Sequence, residues 1–104
     1  MAKLKLKPDA SFKHTVIIPV AGSAEGAEVE FEYRHRGAEQ MVEFLKEMEN
    51  REPIDVVMDA VQDWDLEEPF CRENVAVLID NYALSAGVII REYEREIFKA
   101  RAGN

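Results

Sequence analysis

The chain is poor in most of the residues from which catalytic and metal sites are built. A single cysteine, Cys71, excludes an intramolecular disulfide framework and every multi-cysteine metal knuckle. Two histidines, His14 and His35, leave a zinc site two ligands short, because Cys71 lies far along the chain and no carboxylate is patterned beside them. The five glycines (22, 26, 37, 87, 103) match neither dinucleotide-binding nor Walker spacing. Positive charge is scarce too: 13 Lys and Arg against 21 Asp and Glu give −8. That balance argues against a nucleic-acid surface and against docking on anionic lipid. No apolar run approaches the roughly 20 residues of a membrane helix. The start, Met1-Ala-Lys-Leu-Lys-Leu-Lys-Pro8, has the charge of a signal peptide without its apolar middle. Together these absences lead us to expect a soluble, intracellular, acidic protein.

What is present suffices for one domain of residues 1–104: 47% of the residues are apolar and 33% charged, enough for a core and a solvated shell. Charge is unevenly placed. Residues 1–13 carry four lysines against Asp9, net +3, and residues 1–11 read as a flexible basic lead. Residues 38–73 carry twelve acids and three bases, net −9. Such a segment can attract a basic partner, although charged outer helix faces commonly serve solubility alone.

From Ser11 the pattern has period two. Phe12, His14, Val16, Ile18 and Val20 share one face of a strand. Residues 21–27 contain two glycines and no large apolar group and read as a loop. A second strand follows, with Val29, Phe31, Tyr33 and His35 on one face and Glu28, Glu30, Glu32 and Arg34 on the other. A one-residue slip would bury three glutamates, so the inward face is strongly specified. Residues 12–36 are therefore expected to form an antiparallel hairpin with one wet side. Closed across residues 21–27, it would set His14 and His35 nearly opposite, as polar residues at the hairpin end. Two strands alone are marginal in water, so helices must cover the apolar face.

After Gly37 the period changes to 3.6, and residues 37–98 read as about four short amphipathic helices packed as a small bundle. Ala38, Met41, Val42, Leu45 and Met48 form the first stripe. Pro53 suits the first turn of a second helix bearing Ile54, Val57, Met58, Val61 and Trp64, with Asp55, Asp59 and Asp63 along its outer side. Residues 65–70 break the pattern. A third helix carries Val75, Leu78, Ile79 and Tyr82; Ser85-Ala-Gly87 separates or kinks it from a last helix bearing Ile89, Ile90, Tyr93 and Ile97. Residues 99–104 read as a frayed tail. A hairpin followed by a run of helices is an α+β fold.

Tests for chemistry come out negative. Read as a calcium loop, the Asp63-Trp-Asp65-Leu-Glu67 stretch needs glycine at its sixth place and glutamate at its twelfth, where Glu68 and Asn74 stand. Asp55, Asp59 and Asp63 lie on a presumed wet face, which gives their pKa values no reason to diverge as acid–base work requires. Cys71 opens a helix, which can depress a thiol pKa, yet no motif supplies a base or an oxyanion hole. No enzymatic activity, cofactor or metal is expected. What remains is surface for partners. Large apolar groups dominate interfaces, so Met41, Phe44, Leu45, Trp64 and Phe70 are the candidate partner-binding residues, each equally readable as core.

Three stretches carry a resemblance: Val57-Met-Asp-Ala-Val-Gln-Asp-Trp64-Asp; Glu68-Pro-Phe-Cys-Arg-Glu-Asn-Val-Ala-Val-Leu-Ile-Asp-Asn-Tyr82; and Ile89-Ile-Arg-Glu-Tyr93. They resemble the tail assembly chaperones of long-tailed, siphovirus-like bacteriophages and prophages. In that family a helix ends on a tryptophan, an acidic turn leads to a Pro-Phe-Ser-like helix start, and a Leu-Ile-x-x-Tyr helix follows. The upstream half is similar as well: a strand around Thr15-Val-Ile-Ile-Pro19, another at Phe31-Glu-Tyr-Arg-His35, then the helix over residues 38–48. The likeness spans residues 12–98. Cys71 stands where serine is usual, and Ala83 follows Tyr82 where proline is common.

The resemblance implies a non-enzymatic protein of the host cytoplasm. It would coat the tape measure protein, keep it soluble, help recruit tail tube subunits and be absent from the mature virion, with weak self-association along the filament. It also implies that a frameshifted longer form is common in the family. Two other readings stand on the residues alone. One is an acidic adaptor that uses the −9 segment to cover a basic surface of a nucleic-acid-binding partner. The other is a small carboxylate metal enzyme built on Asp55, Asp59, Asp63 and Asp65.

Overall fold

A computed structural model describes residues 3–99; the tail expected at residues 99–104 therefore lies, past Lys99, outside the described residues. The first strand, β1 (Ser11–Val20), pairs antiparallel with β2 (Ser23–Arg34). Val16, Ile18, Val29, Phe31 and Tyr33 are buried, as their alternation requires, while the glutamates between them face outward.

The hairpin is tighter than the sequence suggested. Most of residues 21–27, expected as a loop, belong to β2, because two glycines supply the backbone conformations that a short turn demands. Gly22 (φ +82°) turns the chain directly after β1. Gly26 (φ +71°) lies at the register shift between Ile18 and Val20, where a side-chain Cβ would come within 2.7 Å of the Ile18 carbonyl oxygen. The shorter turn moves the register, so His14 lies opposite Phe31 and not near His35. His14 is thus a mid-strand residue. His35 alone keeps the hairpin-end position, its N–H donating to the Ala10 carbonyl at 2.8 Å.

Helix α1 (Ala38–Met48) starts at Gly37, whose N–H donates to Gln40 Oε1 at 3.1 Å. It buries Met41 and Phe44, with Leu45 and Met48 half-buried. Val42, expected on the inward stripe, is 45% exposed; the buried face is centred one residue further round the helix. Pro53 opens α2 (Pro53–Ala60), which buries Val56, Val57 and Ala60.

The largest correction follows. Val61 and Trp64, expected on the second helix, form a third strand, β3 (Val61–Trp64), antiparallel to β2 in a sheet of order β1-β2-β3. Phe31 faces Trp64 and Tyr33 faces Val61, with a register irregularity between. That irregularity lets residues three apart point to one side of the sheet, so the pair satisfies a helical spacing and a bulged strand alike. Asp63 consequently leaves the helix that carries Asp55 and Asp59.

Residues 65–71 turn into α3 (Arg72–Asn81), with Cys71 at its N-cap making no side-chain capping bond. Tyr82 lies just past the helix and is 38% exposed, where it was expected on the buried stripe. The break before α4 (Ser85–Ile97) falls at residues 82–84, and Ser85-Ala-Gly87 is the first turn of α4 and not a separator. The two helices meet at a bend of 109°. Helices α2 and α4 cover the apolar face of the sheet, giving the α+β architecture expected from the element order.

Candidate functional site

The two ends of the hairpin are built differently. At the end where the strands diverge, Tyr33 and Tyr93 stack at 5.0 Å with an interplanar angle of 5°, and Phe12 stacks on Tyr33 at 5.5 Å. Both phenols are fully buried and bonded: Tyr33 donates to the Ile89 carbonyl at 2.8 Å and Tyr93 to the Arg34 carbonyl at 2.6 Å. Burial pushes both phenols above their ordinary pKa. Arg34 in turn donates to the Met58 and Val61 carbonyls at 2.9 and 2.8 Å, closing the C-terminal end of α2 onto the sheet.

Arg36 donates to the Tyr93 hydroxyl at 2.9 Å, lies 4.5 Å above the Phe44 ring and pairs with Asp59 at 3.0 Å. Arg51 also reaches Asp59, at 2.9 Å. Burial alone would raise the Asp59 carboxyl, but the Arg51 hydrogen bond and the Arg36 charge outweigh it and hold the pKa below its ordinary value. His14 Nε2 lies 2.9 Å from Glu92 on α4, and the Glu92 carboxyl is lowered by that bond, against burial, with Arg95 assisting. This end is a brace: Asp59 is held between Arg36 and Arg51, and Glu92 between His14 and Arg95, in fixed pairs.

The aspartates of the sequence reading are dispersed. Asp59 belongs to the brace, and Asp55 pairs with Arg72 at 2.8 Å. Asp63 Oδ1 accepts the Trp64 N–H, and Asp65 Oδ1 accepts the Glu30 N–H, each at 2.9 Å. Among the described residues no group of three or more His, Cys, Asp or Glu side chains is placed to hold a metal ion.

The turn end of the hairpin carries an open groove of about 610 Å³. Ile18, Val20, Ala27 and Val29 of the hairpin form one wall, Val77, Leu78 and Asn81 of α3 the other, and Trp64 part of the lining between them. Leu66, Glu68 and Tyr82 stand along its margin. The indole is fixed from behind: Trp64 Nε1 donates to the Glu68 carbonyl at 2.7 Å, and Phe70 meets the ring edge-on at 5.2 Å. Asn74 ties α3 to the preceding turn through the Pro69 carbonyl at 2.7 Å. The lining is mostly hydrocarbon, yet Leu66, Val77 (57% exposed) and Tyr82 face solvent together. A cluster of large apolar groups on one concave surface makes this groove the candidate binding site.

Of the five candidate contact residues, Trp64 lines this groove and Phe70 packs edge-on against the indole without joining the lining. Met41 and Phe44 are buried and Leu45 half-buried on α1, in or against the same core. Sequence reasoning passed over Leu66 and Val77. Val77 carried a signal: it is apolar on the side of α3 away from the Val75–Leu78 stripe, where a solvated helix would place a polar residue.

No single helix among the described residues is long and apolar enough to cross a membrane. A family model described as phage tail assembly chaperone matches residues 1–104. Neither a curated protein nor a solved structure matches the chain. Membership of that family places the partners among phage tail proteins. The α+β fold and the match over the whole sequence agree with the likeness carried by Trp64, Pro69-Phe70, Tyr82 and Tyr93. The chain belongs to the phage tail assembly chaperone family.

Proposed function

We propose that the protein shields apolar stripes of the tape measure protein by accepting its helical segments in the groove between the hairpin and α3, without catalysis. The observation that carries this reading is the co-exposure of Leu66, Val77 and Tyr82 around a floor that includes Trp64. An amphipathic helix with apolar residues at i, i+3, i+4 and i+7 is the natural occupant of such a groove. Trp64 is the contact and Phe70 its backing. Met41 and Phe44 would contribute by holding α1 on the core, being too enclosed to touch a client unless α1 moved, and half-buried Leu45 lies on α1 outside the groove lining.

The same chemistry supports the rest of the role. A long helix with uncovered stripes aggregates, and a small acidic cover keeps it dispersed in the host cytoplasm. A groove of this size gives modest affinity, which suits displacement by tail tube subunits and absence from the mature virion.

Co-expression with the tape measure protein tests the proposal. The wild-type chain should keep that protein in the supernatant as a complex, and Val77→Glu should abolish the complex while leaving the chaperone folded. Unchanged solubility of the tape measure protein with and without the chaperone would refute the reading. The acidic-adaptor alternative predicts the opposite salt response: its complexes dissolve at high salt, whereas apolar groove binding persists.

A further inference from the structure

The segment before β1 has a composition of its own. Lys3-Leu4-Lys5-Leu6-Lys7 alternates charge and hydrocarbon, so that in extended form both leucines lie on one face and the three lysines on the other. Leu4 is 92% and Leu6 96% exposed, the two most exposed large apolar residues among those described. The groove at the other end of the hairpin offers the complement. It has an apolar floor, Glu68 on its margin, and Asp65 and Glu67 in the same turn, all within the −9 segment.

Leu4 and Leu6 stand in solvent, outside their own groove, and cannot reach its far end. The lead departs where the Ala10 carbonyl accepts the His35 N–H at 2.8 Å, at the end of the hairpin away from the turn. Leu4 and Leu6 lie seven and five residues from Ser11 and reach at most about 25 and 18 Å from it. That is enough for Trp64 and Val29, which stand level with His14 and Val16, but not for the wall at Val20. Ile18 and Val20 lie roughly 23 and 30 Å along the strand at about 3.3 Å per residue. The Lys5–Asp9 ion pair at 3.1 Å draws the lead shorter still. A second molecule has no such restriction.

We propose that, in the absence of client, the basic lead of one molecule lays Leu4 and Leu6 into the groove of a second copy, with its lysines against the acidic turn of residues 65–68. This rests on the groove being the client site and adds its regulation: client and lead compete, so self-association falls as the client binds. The contact joins two different surfaces. It therefore produces either a reciprocal dimer or an open chain of copies, depending on the angle at which each lead is delivered.

The test is the concentration dependence of molar mass for the full chain by sedimentation equilibrium. Wild type should associate, and raising salt from about 0.1 M to about 1 M, which shortens the screening length from about 10 Å to about 3 Å, should weaken the association about tenfold. A Leu4→Glu/Leu6→Glu double variant and a Val77→Glu variant should each remain monomeric, since one loses the lead and the other the groove. Mixed, these two should form a heterodimer, because each retains what the other lacks. Association that survives in the double variant, or a wild type that stays monomeric, overturns the proposal. So does failure of the mixed variants to pair. The client reading is read separately: the double variant should bind a tape measure helix at least as well as wild type, and loss of that binding would count against the groove as client site, not against the lead.

Discussion

The two ends of the hairpin solve opposite problems with the same two strands. At the divergent end, aromatic rings are stacked and enclosed, and Tyr33, Tyr93, Arg34 and Arg36 spend their polar atoms on named partners. At the turn end, hydrocarbon of comparable size is left facing solvent around Trp64. The enclosed, fully bonded groups gather at one end, and the surface proposed to bind lies at the other. Substitutions should therefore separate into those that unfold the protein and those that only disarm it.

The largest effect should come from the brace. Tyr93→Ala removes a fully buried ring and its bonds to Arg34 and Arg36, and should lower unfolding free energy by about 3–5 kcal/mol in a urea titration. Gly26→Ala should cost about 1–3 kcal/mol, since alanine must accept φ +71° and a 2.7 Å approach to the Ile18 carbonyl; the same titration reads it. Ser85→Ala should act the other way. Ser85 Oγ is buried without a hydrogen-bond partner in the described structure, so its removal should stabilise by about 1 kcal/mol, visible as a rise in Tm.

Asp59→Asn should cost less than about 1 kcal/mol at neutral pH, because the carboxylate is 39% exposed and partly screened. Its folded pKa lies below the ordinary 3.8, so the native state favours the charged form. The contribution is therefore present above 3.8 and lost as pH falls through the folded value. Wild type and variant should converge below that pH in acid titrations followed by circular dichroism. Last, Val77→Ser should leave stability within about 0.5 kcal/mol of wild type, because the side chain is already mostly in water. A large loss there would erase the distinction between the two ends.

The aromatic half of the brace was legible in the sequence; its hydrogen bonds and ion pairs through Arg34, Arg36, Asp59 and His14, and the groove, were not. Alternation over residues 29–35 specified which side chains turn inward, because a slip would have buried glutamates. The 3.6-residue period likewise located α1 and α2. Three failures share a cause: local patterns report which residues are buried but not which partner buries them. Val61 and Trp64 were read as the end of a helix because a bulged strand presents residues three apart on one side. His14 was placed against His35 because the tightness of a turn around Gly22 and Gly26 depends on positive φ, which glycine permits without announcing. The groove itself arises where the hairpin turn, the residues after β3 and the outer side of α3 converge, three segments with no shared periodicity. Trp64 and Phe70 stood out in the sequence because of their size; Leu66 and Val77 are ordinary residues until the fold sets them on one groove.

Placing the chain's one tryptophan in the groove, with its ring nitrogen held by the Glu68 carbonyl, has a practical consequence. Indole emission depends on the polarity around the ring, so the protein carries a native optical probe at the surface proposed to meet its partners. Filling the groove should move that emission to shorter wavelength. Titrations can then be followed on the unlabelled wild-type chain.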